Sequence, residues 1–224
     1  MCARHYILPG RRRKSKIPTL LVGLAVVVFL GGLLASVYVW RWDQRTSFTS
    51  LTSASTGPAP STMQPTAMEV ASYIVPKESP RYLSIPKLNI NARVKSLGVN
   101  NSGQLEAPAN VYDVGWYTGS SKPGQPGAML VDGHVSSWTA HGVFYDLKTL
   151  HSGDVIKVER GDGTMFTYKV DKSQVFHADN VDMVATLQPI NPNKPGLNLI
   201  TCSGSVESNT SEFSERLVVF AEQE

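Results

Sequence analysis

From Lys87 to Val94 apolar and polar side chains alternate without a break: Leu88, Ile90, Ala92 and Val94 against Lys87, Asn89, Asn91 and Arg93. A period of two puts one set on the buried face of an extended chain and the other in water, which predicts a β-strand. Phe166, Tyr168 and Val170 alternate in the same way with Thr167, Lys169 and Asp171, and the Asp162-Gly163 turn signal links them back to Val155-Ile156-Lys157-Val158. That spacing predicts a β-hairpin. Ala128 to Val131, Leu197 to Thr201 and Leu217 to Ala221 are short apolar runs bounded by Gly, Pro or Ser, a pattern that fits buried strands better than helices. Long helical periodicity is absent here; Val181 to Leu187, after Asp179-Asn180, reads as a short side-chain-capped helix, and Gly142 to Leu150 as another turn or two. The expectation is a mainly β domain of seven or eight strands, closed or nearly closed so that its edges are protected.

A different pattern occupies the N-terminal region. Residues 17–40 carry no charge, and as a helix they would reach roughly 36 Å, enough to cross a hydrocarbon core of about 30 Å. Arg4, Arg11, Arg12, Arg13, Lys14 and Lys16 precede this run and only Arg41 and Arg45 follow it closely, so the positive-inside rule predicts a cytoplasmic tail over 1–16, a signal-anchor helix over 17–40 and everything beyond it outside the cell. A cleaved signal peptide is the alternative. Against it stand the length of the run, the lack of an Ala-x-Ala site, and Tyr38, Trp40 and Trp42, which suit a membrane interface. Residues 46–68 hold no charge and are mostly Ser, Thr, Pro and Ala, a composition that buries too little apolar surface to offset ordering entropy. The expected linker is 41–78, with a flexible reach of roughly 30 to 36 Å, and the folded domain is 79–224.

Charge changes its meaning once the chain is divided this way. The whole has 21 basic and 18 acidic residues, but eight of the basic ones and a single acid, Asp43, lie within 1–45, leaving 13 basic against 17 acidic. The exported part is mildly acidic, which argues against nucleic acid as a partner.

There are two cysteines, Cys2 and Cys202, on opposite sides of the predicted span, so no disulfide is expected. Cys202 ends an apolar run and is followed by Ser203-Gly204-Ser205, small residues that leave a sulfur accessible; a buried inert thiol is the alternative to a nucleophile. A nucleophilic thiol needs a base or ion-pair partner. His134, in Asp132-Gly133-His134 just past the run Ala128 to Val131, is placed at a strand end beside a flexible glycine. His141 is its rival through His141-Gly142, while His151 and His177 fall in polar turns. Arg216 opens the last apolar run and is one of four arginines in the exported part, with Arg81, Arg93 and Arg160; its guanidinium suits a developing oxyanion, or alternatively a surface strand end.

These residues resemble those of the sortases, membrane-anchored cysteine transpeptidases of Gram-positive-type cell surfaces. Tyr82 to Ala92 is similar to the family's opening strand, Gly133-His134-Val135 to its histidine motif, Leu199-Ile200-Thr201-Cys202 to its cysteine motif, and Arg216 falls at its arginine position. The block from Val114-Gly115-Trp116-Tyr117 through Pro126-Gly127 to His134 most resembles class F, with class E close behind. One departure is Asn198, where the family motif usually has Thr. The resemblance implies an eight-stranded β-barrel with one or two short helices. It also implies Cys202 as nucleophile, His134 as general acid/base, Arg216 as oxyanion or substrate-positioning group, and Thr201 lining the oxyanion site. The implied partners are proteins carrying an LPXTG-like sorting signal, and an amine acceptor on a peptidoglycan precursor or a pilin lysine. The implied enzyme is single-pass in the cell membrane, with no cofactor and no metal ligand set of recognisable spacing. A tethered barrel that binds peptide without turnover is a second reading, and an L,D-transpeptidase or papain-like peptidase a third. Papain-like enzymes run Cys before His, the reverse of the order here.

Overall fold

Eight strands form where the period-two and buried-run patterns place most of them, in a computed structural model that describes residues 59–224 except 102 and 209–211. They are β1 (Pro80–Ile85), β2 (Ile90–Leu97), β3 (Val114–Tyr117), β4 (Ala128–Gly133), β5 (Val155–Arg160), β6 (Met165–His177), β7 (Gly196–Val206) and β8 (Phe213–Gln223). They close into a barrel in the order β1-β2-β3-β4-β7-β8-β6-β5, with β5 returning to β1. Pairs β2–β3 and β4–β7 are parallel and the rest antiparallel. Two short helices, α1 (Ala67–Ala71) and α2 (Met183–Thr186), lie outside the barrel sequence of strands. The tail over 1–16, the span over 17–40 and the first part of the linker lie outside the described residues, among which no helix is long and apolar enough to cross a membrane.

The barrel interior is filled by alternate residues of each strand, among them Leu83, Val94, Met129, Val131, Tyr168, Leu197, Leu199 and Val219. The β4–β7–β8 part is covered on its other face as well. There Leu130, Ile200, Val218 and Phe220 make a second cluster with Leu105, Tyr117, Phe176, Val181 and Leu187. A strand buried on both faces has no reason to alternate, which is why these three strands read as continuous apolar runs and the hairpin β5–β6 does not.

Three local findings refine the sequence reading. The alternation starting at Lys87 does not begin a strand: Pro86–Leu88 is a 3-10 turn, Asn89 sits at φ 54, and β2 starts at Ile90. Proline fixes φ and donates no hydrogen bond, so the chain turns there although Leu88 still packs on the core. The helix expected over Val181 to Leu187 is the single turn α2, capped by Asp182, whose Oδ1 accepts from Ala185 N at 3.0 Å. Residues 59–78, which composition assigns to the linker, run along the barrel. Ser61 N donates to Ala109 O at 2.8 Å and Val111 N to Ser61 O at 3.0 Å. Thr66 and Glu69 form a capping box on α1, and Tyr73 Oη donates to Val94 O at 2.6 Å. Composition missed this because the anchoring is done by backbone groups and two tyrosines, Tyr73 and Tyr82, whose hydroxyl donates to Val70 O, rather than by an apolar stripe.

Candidate active site

Register decides what meets at the end of β7. Cys202 is the direct neighbour of Arg216 across the antiparallel β7–β8 pair, and neighbouring residues on adjacent strands share a face. Counting back by twos, Ile200 and Val218 lie on that face too, in the outer cluster; Thr201 and Leu217 point the other way, into the barrel. On the other side of β7, Asp132 of β4 pairs with Ile200, which brings it to the same outer face. The chain leaves β4 after Gly133 and the next residue is His134. The thiol therefore sits on the outside of the barrel, half-buried.

Thr201 is 2 % exposed and its hydroxyl donates to Gly133 O at 2.7 Å. Its side chain is thus committed to tying β7, one residue before the cysteine, to β4, one residue before the histidine. His134 is held from two more directions. Its Nε2 lies 2.7 Å from Pro108 O, and its carbonyl accepts from Phe144 N at 2.9 Å. The returning chain passes so close that a Cβ on Gly142 would come within 2.2 Å of His134 O. No hydrogen bond joins the thiol to the imidazole in this resting arrangement among the described residues. Arg216 is oriented by its own hairpin: Nη1 donates to Phe213 O and to Glu215 O, both at 2.9 Å.

Burial pushes the Cys202 thiol up from its ordinary range, and Asp132 and Glu212 add to this while Arg216 opposes it. Asp132 is the group the sequence reading passed over. Burial raises its carboxyl to about 7, against the Gly133 N–H and the Arg216 charge, which hold it down. The signal available in the sequence was only an acid two residues before the candidate histidine. The remaining histidines stay apart from this cluster. His141 is exposed and stacks on Tyr145 at 3.5 Å between ring centroids. The ring of His151 lies 2.7 Å from Thr149 O and 3.4 Å from Lys87 Nζ, and His177 faces Asp179. Among the described residues no group of three or more His, Cys, Asp or Glu is placed to hold a metal ion.

A closed eight-stranded barrel carrying Cys and Arg as cross-strand neighbours, with a histidine leaving the strand on the other side of the cysteine, defines a thiol-dependent acyl-transfer enzyme class. The comparisons give the family. A sortase-domain family description matches residues 83–224, so the chain belongs to the sortase family and is a sortase-type cysteine transpeptidase. No curated protein matches it. Among solved structures it is similar to sortase A from Corynebacterium diphtheriae, a lid mutant, with 25% identity and TM-score 0.50 over 64% of this chain and 68% of that one. It is equally similar to sortase C from Clostridium perfringens with the C-terminal cell wall sorting motif, with 25% identity and TM-score 0.50 over 67% and 73%. Sortase C-1 from Actinomyces oris, at 20% identity and TM-score 0.51 over 82% and 97%, shares the fold.

Proposed function

We propose that this sortase is a single-pass membrane enzyme, anchored by residues 17–40, which cleaves an LPXTG-like sorting signal outside the cell through a thioacyl intermediate on Cys202. It then passes the protein to an amine of the cell wall or of a pilin. The anchor and the outside location rest on the apolar run and the basic tail before it. The reaction rests above all on the placement of a half-buried Cys202 beside Arg216 on the outer face of the barrel. A sorting motif is also the ligand named for the related Clostridium perfringens enzyme. Class F is the subclass we favour, from the motif block that ends at His134.

In this mechanism the Cys202 sulfur, as thiolate, attacks the carbonyl carbon of the Thr-Gly bond. The carbonyl electrons move to oxygen, and Arg216, whose Nη1 is already engaged by Phe213 O and Glu215 O, turns Nε and Nη2 toward that oxyanion. His134, as imidazolium, gives its proton to the departing glycine nitrogen and the carbonyl reforms as a thioester. An acceptor amine then attacks the thioester, His134 takes the proton it sheds, and the thiolate leaves. For Nε2 to reach the reacting atoms, it would exchange its contact with Pro108 O for them.

The test is intact-mass spectrometry of the full chain in detergent, incubated with a library of LPXTG-like peptides. The expected result is an acyl adduct that maps to Cys202 and disappears when an amine is added. An adduct on no peptide, or one that survives Cys202→Ala, would refute the reading and favour a barrel that binds without turnover.

A further inference from the structure

Residues 178–195, between β6 and β7, form a wall over the outer face of β7 and β8, against the Ile200–Val218 pair that lies two residues from Cys202 and Arg216. Val181 and Leu187 pack on Ile200, Val218 and Phe220, while Val184, Ile190 and Met183 remain 72%, 40% and 39% exposed. The wall has little internal structure to hold its shape: one 3-10 turn and the four-residue α2. A helix of one turn is far below the length at which helices hold themselves together in water. Something outside must fix it.

Asn198 is placed to do so. It lies on β7 on the same face as Ile200 and Cys202 and is completely buried. Its Nδ2 donates to Thr186 O at 2.7 Å and to Gln188 O at 3.0 Å. Thr186 is the last residue of α2, whose terminal carbonyls a short helix leaves without partners of its own, and Gln188 is the second residue beyond it. Two residues earlier, a Cβ on Gly196 would come within 2.9 Å of Pro189, so the wall lies close against β7 here as well. Only an amide supplies two hydrogens from one nitrogen at this reach. A threonine hydroxyl has one, and an aliphatic side chain none. The arrangement leaves Asn198 Oδ1 buried without a partner, so it is the donor side of the amide that is used.

We propose that Asn198 is a positioning residue for the peptide substrate: by pinning Thr186 and Gln188 to β7 it fixes Val184, Ile190 and Met183 as an apolar wall beside Cys202. This rests on the transpeptidase reading for the identity of the peptide, an extended segment with apolar side chains ahead of its scissile bond. The pinning itself does not. Asn198 touches no reacting atom, so its loss weakens peptide binding while leaving the bond-breaking step intact.

The experiment compares the full chain in detergent with Asn198→Thr and Asn198→Leu. Hydrogen exchange is read on the amides of 181–190, and peptide cleavage kinetics are measured with the best LPXTG-like peptide from the adduct screen. Exchange in that segment should speed up at least tenfold in Asn198→Leu and less in Asn198→Thr, with β4 and β8 unchanged. KM should rise several-fold while kcat stays within twofold. Unchanged exchange at 181–190, a faster exchange spread evenly over the barrel, or a fall in kcat at constant KM would each overturn the proposal. Should no peptide be cleaved by the unsubstituted enzyme, the transpeptidase reading fails and the exchange measurement still decides whether Asn198 pins the wall.

Discussion

Asp132 shows how one half-buried carboxyl couples the site to pH. Its carboxyl is raised from 3.8 to about 7, chiefly by burial, so the folded protein holds this proton where the unfolded chain has already released it. Between those two pH values the native state binds more protons than the unfolded one, and stability attributable to this group falls as pH rises. In Asp132→Asn that decline should be absent, so the midpoint of urea unfolding should change less between pH 4 and 7 than in the parent. Asp132 also raises the Cys202 thiol, and its removal should move the pH midpoint of thiol alkylation downward. An alkylation midpoint that does not move would mean that the carboxyl and the sulfur do not feel each other.

At the scale of elements, the site is made where three segments are tied together at their ends. Thr201 ties β7 to β4, Phe144 ties the returning chain to His134, and Gly142 makes the second contact possible by having no side chain. Gly142→Ala would force a methyl into the His134 carbonyl, and the backbone must shift to relieve it. Misplacing a catalytic group by about 1 Å costs on the order of 100-fold in rate. A loss of that order in peptide cleavage is expected for Gly142→Ala, with the fold retained by circular dichroism; cleavage at the parental rate would show that His134 does not depend on this contact. The strands were legible in the sequence because their burial pattern is local: period two where one face is wet, a continuous run where both are covered. The role of Thr201 was not, because a threonine in an apolar run looks the same whether its hydroxyl faces a substrate or a carbonyl on a neighbouring strand. The β1 strand had no clear alternation of its own and was placed only through the family resemblance.

For the molecule as a whole, the working unit is larger than the barrel. The segment from 59 to 79 adds a second layer through Ser61, α1 and Tyr73, and it braces Ala109 and Val111, next to the carbonyl that holds His134. Each such hydrogen bond contributes about 1 kcal/mol net, and for a domain of this size 1 kcal/mol corresponds to roughly 2 to 4 °C in Tm. A chain that starts at residue 75 should therefore melt ~5 to 10 °C below one that starts at residue 59. Equal melting temperatures by differential scanning fluorimetry would mean that the segment lies on the barrel without stabilising it. The proposed topology gives this brace a further consequence, because it sets the distance of the catalytic face from the membrane from residue 59 onward rather than from residue 79.

The sequence by itself determined the class of fold, the family, and which cysteine, histidine and arginine to watch, because strand periodicity and short motifs are properties of neighbours along the chain. It also carried the expectation of a membrane anchor, which the length and charge flanks of one apolar run are enough to raise. The tertiary structure decided the rest: that the outer rather than the inner face of β7 bears the thiol, that Asp132 shares that face, that Thr201 is a clamp, and that Asn198 reaches the wall. Each of these depends on register across strands far apart in sequence, and a shift of one residue would turn every one of those side chains to the opposite face.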